Sequence, residues 1–292
     1  MKVLWGLDPF HLSKTQMKQV YGFVNAVVGE NGGLEVGYIV NRLEQELNLA
    51  FDIPAVERFT SYPASILTKN LTQAGVPTSK IPIHVVDFPT VSTSATAERL
   101  LKLSKERKCD LVAISSQGGS AIRKLFLGSF AETAVHSSDK KILVLNPHFK
   151  LAKKIKTVFF CYEPSDWGEK GLHEIIDFCH DQGAKLVVFH AAQFIYAYRD
   201  KDAVPKVKEY KNEINRTVKR IEELCSRKKV RCKVKISADF SAISERALKL
   251  AKRTKADLIA VVAKSGPATA LMGGSVTRQI LRGSKIPVLV IR

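Results

Sequence analysis

Short apolar runs alternate with longer amphipathic segments along the whole chain. Between the runs, apolar residues recur every three or four positions, which is the spacing of a helix with one buried face. Strands that alternate with helices predict a parallel sheet covered on both faces, and right-handed crossovers favour a doubly wound order. In the first half, the runs that predict strands are 2–7, 34–40, 81–86, 110–114 and 141–145.

The second half repeats this arrangement after roughly 145–150 residues. Residues 256–260 resemble 109–113, and 288–291 resemble 142–145. The fold class predicted is therefore α/β, with two doubly wound, mostly parallel five-stranded sheets of Rossmann-like type in a tandem repeat. We expect domain limits of 1–148 and 155–292. Predicted strands of the second copy are 157–161, 184–190, 230–236, 257–262 and 287–291.

Local signals sharpen the prediction at particular elements. Ser13 and Gln16 have the spacing of a capping box at the start of a helix. Pro82 lacks a backbone N–H and so predicts an edge position for the third strand. In 230–236, Cys232, Val234 and Ile236 alternate with basic residues, which predicts a half-buried strand.

Composition places the protein among ordinary globular chains, with 45% hydrophobic and 25% charged residues in 292. The five cysteines form no Cys-x-x-Cys pair, which argues against a zinc site or a disulfide framework and for the cytoplasm. The apolar run before Asp8 is too short for a signal peptide, and no run approaches the ~18 residues that span a membrane.

Basic residues are concentrated in the second half of the chain. The net charge of +18 divides into +4 for residues 1–150 and +14 for the remainder. A basic half can attract a polyanion such as nucleic acid, or it can simply be a well-solvated surface. The segment 227–235 has few aromatic residues and no nucleic-acid motif, so nucleic acid is the less favoured partner but stays open.

A glycine-bearing loop links the fourth predicted strand to the next helix. It runs from Ser115 to Ser129 and contains Gly118 and Gly128. Free backbone N–H groups at a helix start, with glycines that allow close approach, can bind phosphate oxygens. In a doubly wound sheet the carboxyl ends of strands one and four flank the ligand crevice, which brings Asp8 near this loop. The alternatives are turn chemistry for the loop and a capping role for Asp8.

With its spacing Ser115-x2-Gly118-x9-Gly128-Ser129, this loop resembles the Gly-x2-Gly-x9-Gly-[Ser/Thr] pattern of the universal stress protein family. The tandem repeat resembles the two-domain members of that family. Serine replaces the first glycine. The resemblance implies that the first domain binds ATP, ADP or AMP, optionally with Mg²⁺, and that the protein acts in the cytoplasmic stress response by regulation or partner binding. The implied nucleotide-binding residues are Leu7, Asp8, Ile39, Val40, Ser115, Gly118, Gly128, Ser129 and Phe130.

The second copy departs further from the family pattern. Ala263 stands for the first glycine, and only seven residues separate Gly266 from Gly274. Glu163 replaces the strand-one aspartate. The shorter loop is predicted to bind phosphates less well. His190 is interpreted as a packed or wall residue of the site rather than a catalyst. Residues of this second candidate site are Glu163, His190, Gly266, Gly274, Ser275 and Val276.

No catalytic or metal motif accompanies either loop. The sequence lacks a P-loop, a nucleophile elbow and a zincin helix, so we assign no catalytic residue and no metal ligand, although slow nucleotide hydrolysis stays open. Two alternatives to a nucleotide-binding regulator remain: an interaction scaffold without a working nucleotide site, and a basic nucleic-acid-associated protein. We expect no membrane partner. Pairing of the two domains through their terminal strands is implied by the resemblance, whereas a homodimer stays open.

Overall fold

The structure is a computed structural model. It describes residues 1–10, 12–40, 61–88, 90, 92–115, 128–146, 150–192, 203–238, 241–263 and 275–292, with backbone only for 203–207 and 275. Contacts divide the chain into two compact units. Unit 1 contains Met1–Lys154 and Ala263–Arg292, and unit 2 contains Ile155–Val262.

Strands and helices alternate as the sequence predicts. The strands are β1 (Lys2–Gly6), β2 (Gly33–Val40), β3 (Ile83–Asp87), β4 (Leu111–Ser115), β5 (Lys141–Leu145), β6 (Thr157–Cys161), β7 (Lys185–Ala191), β8 (Cys232–Ser237), β9 (Leu258–Val262) and β10 (Val288–Ile291). The helices are α1 (Lys14–Val28), α2 (Ser61–Gln73), α3 (Thr93–Glu106), α4 (Ser129–Ser137), α5 (Asp166–Gln182), α6 (Ala203–Arg227), α7 (Ile243–Arg253) and α8 (Ser275–Gly283), with a 3₁₀ turn at Thr78–Lys80.

Unit 1 is built on strands in the order β3-β2-β1-β4-β5-β10. The first five are parallel, and β10 runs antiparallel to β5 with Leu289 opposite Leu143. The edge position that Pro82 predicts for β3 is confirmed. Chain order reverses direction at β1, which lies between β2 and β4, so this is the topological switch point.

Helices cover the two faces of the unit 1 sheet in pairs. Helix α1 contacts α2, and α3 contacts α4. Right-handed crossovers place the first pair on one face and the second pair on the other. Within α3, Ala97, Leu100 and Ser104 are buried at helical spacing. The α/β fold class is therefore confirmed.

The start of α1 is fixed by the predicted capping box. The Gln16 N–H donates to the Ser13 hydroxyl oxygen at 3.3 Å, and the Ser13 N–H donates to Gln16 Oε1 at 2.9 Å. The helix ends at Val28, because Gly29 directly after it adopts a φ of 73°. A backbone in that region favours glycine.

Unit 2 contains four parallel strands in the order β9-β6-β7-β8. Helix α5 begins after its N-cap Ser165, whose hydroxyl accepts from the Gly168 N–H, and ends at Gly183, which adopts the left-handed conformation. Along β8, Cys232 and Val234 are half-buried and Lys233 and Lys235 are exposed, as predicted. Ile236 is an exception at 39% exposure, because it lies near the end of an edge strand.

Candidate functional site

An open cleft lies at the carboxyl ends of β1, β2 and β4 in unit 1, which is the predicted switch-point location. Its volume is about 730 Å³, including solvent at its mouth. Ligand sites are concave and combine apolar walls with a few polar groups that fix the ligand's orientation. The lining residues are Gly6, Leu7, Asp8, Leu12, Gly37, Tyr38, Ile39, Thr93, Thr96, Leu100, Ile114, Ser115 and Phe130.

The floor of the cleft depends on two glycines that face each other on neighbouring strands. Gly6 of β1 pairs with Gly37 of β2. A Cβ on Gly6 would overlap Leu100 Cδ2, and one on Gly37 would lie 3.0 Å from Leu103 Cδ2. Because glycine has no side chain, α3 can approach the sheet closely at these two positions. The first turn of α3 therefore forms one wall of the cleft.

Asp8 lies at the mouth of this cleft, directly after β1. One carboxylate oxygen, Oδ1, accepts a hydrogen bond from the Phe10 N–H at 2.9 Å. The Phe10 ring then meets the Tyr38 ring edge-on, with centroids 6.3 Å apart. The predicted capping alternative is thus realised, but a carboxylate has about four lone-pair directions, so a turn bond is compatible with ligand binding.

The end of β2 supplies an apolar wall rather than polar groups. Ile39 is 5% exposed and Val40 is fully buried, and of these two only Ile39 lines the cleft. Leu7 lines it as well, and its N–H donates to the Gly37 carbonyl at 3.0 Å. A flat apolar wall of this kind suits a planar ring better than a phosphate.

Helix α4 begins beside the cleft, and within the described residues no side chain caps its first amides. Gly128 is the N-cap residue, in extended conformation, and its carbonyl accepts from the Glu132 N–H at 3.0 Å. The N–H groups of Ser129, Phe130 and Ala131 precede that first helical bond. Such groups carry the positive end of the helix dipole and favour an anion.

Two further features favour an anion at this helix start. The buried Ser115 hydroxyl has no hydrogen-bond partner within the described part of unit 1. Glu132, the acidic residue of the first turn, is paired with Arg282, whose Nη2 lies 2.5 Å from Glu132 Oε1. The ion pair offsets a carboxylate that would otherwise repel a phosphate. Sequence reasoning missed Arg282 because it lies 150 positions away.

Several predicted site residues lie outside the described residues. Gly118 of the first loop and both Gly266 and Gly274 of the second are among them. Ser275 opens α8, where only its backbone is described, and Val276 is half-buried. Tyr38, Thr93 and Thr96 line the cleft but were not predicted. The floor of the cleft could have been recognised from Gly6 and Gly37, because each interrupts an apolar run in the sequence.

The corresponding strand end in unit 2 is built differently. Glu163, the counterpart of Asp8, is exposed. Tyr162 fills the adjacent position, where its hydroxyl contacts Glu169 and accepts from Arg220 Nη2 at 3.1 Å. Burial and the Glu169 carboxylate raise the pKa of the Tyr162 phenol well above its usual range.

His190 supports the wall reading rather than a catalytic one. Its Nδ1 lies 3.3 Å from the Tyr162 carbonyl oxygen, which can only accept, so that nitrogen carries the proton. It borders a smaller pocket of about 360 Å³ formed largely by α6 and β8. Glu163 is not among the residues that line this pocket.

The universal stress protein family model matches residues 69–146 and 154–292. The chain belongs to the universal stress protein family. The two matched segments agree with the tandem repeat that the sequence predicts. Among curated proteins, no sequence match to this chain was found.

Solved structures of related fold cover the whole chain. A universal stress protein from Archaeoglobus fulgidus DSM 4304 is 20% identical, covers 100% of this chain and 96% of its own, and has a TM-score of 0.66. A functionally unknown protein from Pseudomonas aeruginosa PAO1 is 13% identical, with coverage of 99% and 92% and a TM-score of 0.62. At these identities the likeness establishes the fold alone.

A shorter match concerns a structure solved with a ligand. The universal stress protein from Archaeoglobus fulgidus in complex with dAMP is 15% identical and covers 47% of this chain and 98% of its own. Its TM-score of 0.35 is too low to support any inference about the present chain. Among the described residues, no group of three or more His, Cys, Asp or Glu could hold a metal ion, and no helix could cross a membrane.

Proposed function

We propose that the cleft of unit 1 binds an adenine nucleotide, ATP, ADP or AMP, with its phosphates at the start of α4. The observation that carries this proposal is the first turn of α4, which no described side chain caps and which borders a cleft also lined by Asp8 and Ser115. The apolar wall with Ile39 and Tyr38 suits the base, and the Asp8 carboxylate suits ribose hydroxyls or the adenine edge. The proposal includes Mg²⁺ as an optional ion that binds together with the phosphates.

Regulation by the bound nucleotide, in a stress response in the cytoplasm, is part of the same proposal and is supported by family membership. Domain limits of 1–148 and 155–292 also remain proposals. Pairing of the two repeats through their terminal strands is supported by the antiparallel β5–β10 ladder. Homodimer formation is an expectation from the family alone.

The experiment is calorimetric titration of the full chain with ATP, ADP and AMP, with and without Mg²⁺. Asp8→Ala should abolish or greatly weaken binding, because it removes the carboxylate at the mouth of the cleft. Glu163→Ala is the matched control, since it removes the corresponding exposed carboxylate of unit 2 and should leave binding unchanged. Equal binding by wild type and Asp8→Ala would refute the site.

The interaction scaffold is the alternative outcome of that titration. Serine at 115 in place of the family's first glycine, and the use of Asp8 by a turn, are the observations that favour it. A wild-type chain that produces no heat with any of the three nucleotides would support the scaffold.

A further inference from the structure

One surface of unit 2 carries closely spaced exposed cations. Lys233 and Lys235 are exposed on the edge strand β8, and Lys249, Lys252 and Arg253 are exposed on α7. We call these five residues the basic face. Glu245 is the single acidic residue within α7.

Helix and strand contribute to the same side of the sheet. Val234 lines the pocket beneath α6, so Lys233 and Lys235, which alternate with it, point to the opposite side. From β6 to β8 successive strands are added towards one edge of the sheet, whereas β9 is added on the other side of β6. A right-handed crossover therefore places α7 on that opposite side as well. The cations of β8 therefore lie on the side covered by α7.

A direct contact ties α7 to the end of β8. Arg246 Nη1 donates to the Ser237 carbonyl oxygen at 3.0 Å. Arg246, Lys249 and Arg253 are spaced i, i+3 and i+7, so they share one side of the helix. Lys249 and Arg253 consequently share the side of α7 that makes the contact with β8.

The basic face keeps its charge. Within the described ranges, no ion pair to a carboxylate involves any of its five residues. The corresponding helix of unit 1, α3, is compensated: Arg99 pairs with Glu106 at 3.3 Å, and Lys105 pairs with Asp139 at 3.0 Å. The same structural position is therefore neutralised in one unit and left positive in the other.

The spacing and chemistry of this face suit a phosphodiester backbone. Lysines two positions apart on a strand lie about 6.6 Å apart, and helix neighbours at i+3 or i+4 lie about 5–6 Å apart. Neither β8 nor α7 contains an aromatic residue that could stack on single-stranded bases. Neither presents an exposed large apolar side chain on this side that would enter a lipid surface, because Ile236 shares the side of Val234.

We propose that the basic face binds duplex nucleic acid through its phosphates, without reading base sequence. This function is independent of the nucleotide cleft in unit 1. Binding of this kind is electrostatic, with dissociation constants of about 10⁻⁴ to 10⁻⁶ M at physiological salt, and each lost phosphate contact reduces the salt slope by about 0.9.

The test measures fluorescence anisotropy of a labelled DNA duplex of about 20 base pairs, titrated with the full chain at salt from about 50 to 200 mM. Wild type should bind two unrelated sequences equally, with an affinity that falls steeply as salt rises. The variant Lys233→Gln/Lys235→Gln/Lys249→Gln should reduce the slope of log affinity against log salt by up to about 3.

A matched control removes the same charge from unit 1. Lys14→Gln/Lys18→Gln/Lys69→Gln changes three exposed lysines and should keep the wild-type slope. Both variants should retain the wild-type circular dichroism spectrum. Absence of binding at the lowest salt, equal slopes for the two triple variants, or tighter binding to phosphatidylserine vesicles than to the duplex would overturn the proposal.

Discussion

Glu35 is a buried carboxylate at the amino-terminal side of the unit 1 sheet, and it should make stability depend on acid pH. Lys2 Nζ lies 2.8 Å from Oε1, whereas His84 Nε2 and Arg107 Nε lie 2.8 and 2.9 Å from Oε2. Burial raises the pKa of this carboxyl, but the hydrogen bonds from Arg107, Lys2 and His84 outweigh burial and lower it from 4.5 to about 2. We expect Glu35→Gln to remove this dependence.

The magnitude follows from the difference between folded and unfolded pKa. A lowering from 4.5 to about 2 corresponds to roughly 3 kcal/mol at neutral pH. Lys2 and Arg107 are 36% and 42% exposed, so solvent screening reduces the expected value to about 2 kcal/mol. Because the folded pKa is depressed, this stabilisation is complete above pH 4.5 and is lost as pH falls towards 2.

The assay is urea unfolding at several pH values between 7 and 3. The chain has two tryptophans, Trp5 buried in β1 and Trp167 in α5 of unit 2, so Trp167→Phe leaves a fluorescence reporter of unit 1. Glu35→Gln should cost about 2 kcal/mol at pH 7 and progressively less below pH 4.5.

Glu106→Gln serves as the control for this prediction. Glu106 pairs with Arg99 at 3.3 Å but is 44% exposed, so its loss should cost less than about 1 kcal/mol. A cost for Glu35→Gln that stays constant down to pH 3, or one that equals the cost of Glu106→Gln, would refute the reasoning.

Two further predictions concern a helix cap and a buried thiol. Ser13→Ala removes the capping box of α1 and should lower the unfolding free energy by about 1 kcal/mol. Ser65→Ala, at an exposed position of α2, should change it by less than about 0.5 kcal/mol, and equal costs in urea unfolding would count against the cap. Burial, with a smaller effect of Cys225, raises the pKa of the Cys179 thiol to about 12. Iodoacetamide at pH 8 should therefore alkylate Cys179 in urea but not in the folded protein, and modification of folded protein at the unfolded rate, seen by peptide mass mapping, would contradict this.

Much of the fold could be predicted because local signals agree with the tertiary pattern. The Ser13–Gln16 capping box and the Pro82 edge signal are both found in the structure. Each depends on neighbours in sequence or on one missing N–H, so no distant contact is needed to recognise it. The period-2 pattern of β8 failed only at Ile236, where the edge of the sheet leaves the residue exposed.

The candidate site could be predicted less completely because its walls depend on distant packing. Asp8 and Ser115 could be placed at the carboxyl ends of β1 and β4 from topology alone. That Gly6 and Gly37 face each other and admit Leu100 depends on strand register, which the sequence does not reveal. The Glu132–Arg282 pair forms because the final segment of the chain, Ala263–Arg292, belongs to unit 1. A repeat of two separate domains does not predict that arrangement.

Hydrogen–deuterium exchange with and without ATP tests the central claim most directly, because it reports the backbone amides proposed to hold the phosphates. Exchange should slow in peptides that contain Ser129–Ala131 and Leu7–Phe10, and it should stay unchanged in peptides around Glu163. Protection confined to unit 2, or no change at the start of α4 under conditions where ATP is bound, would contradict the account.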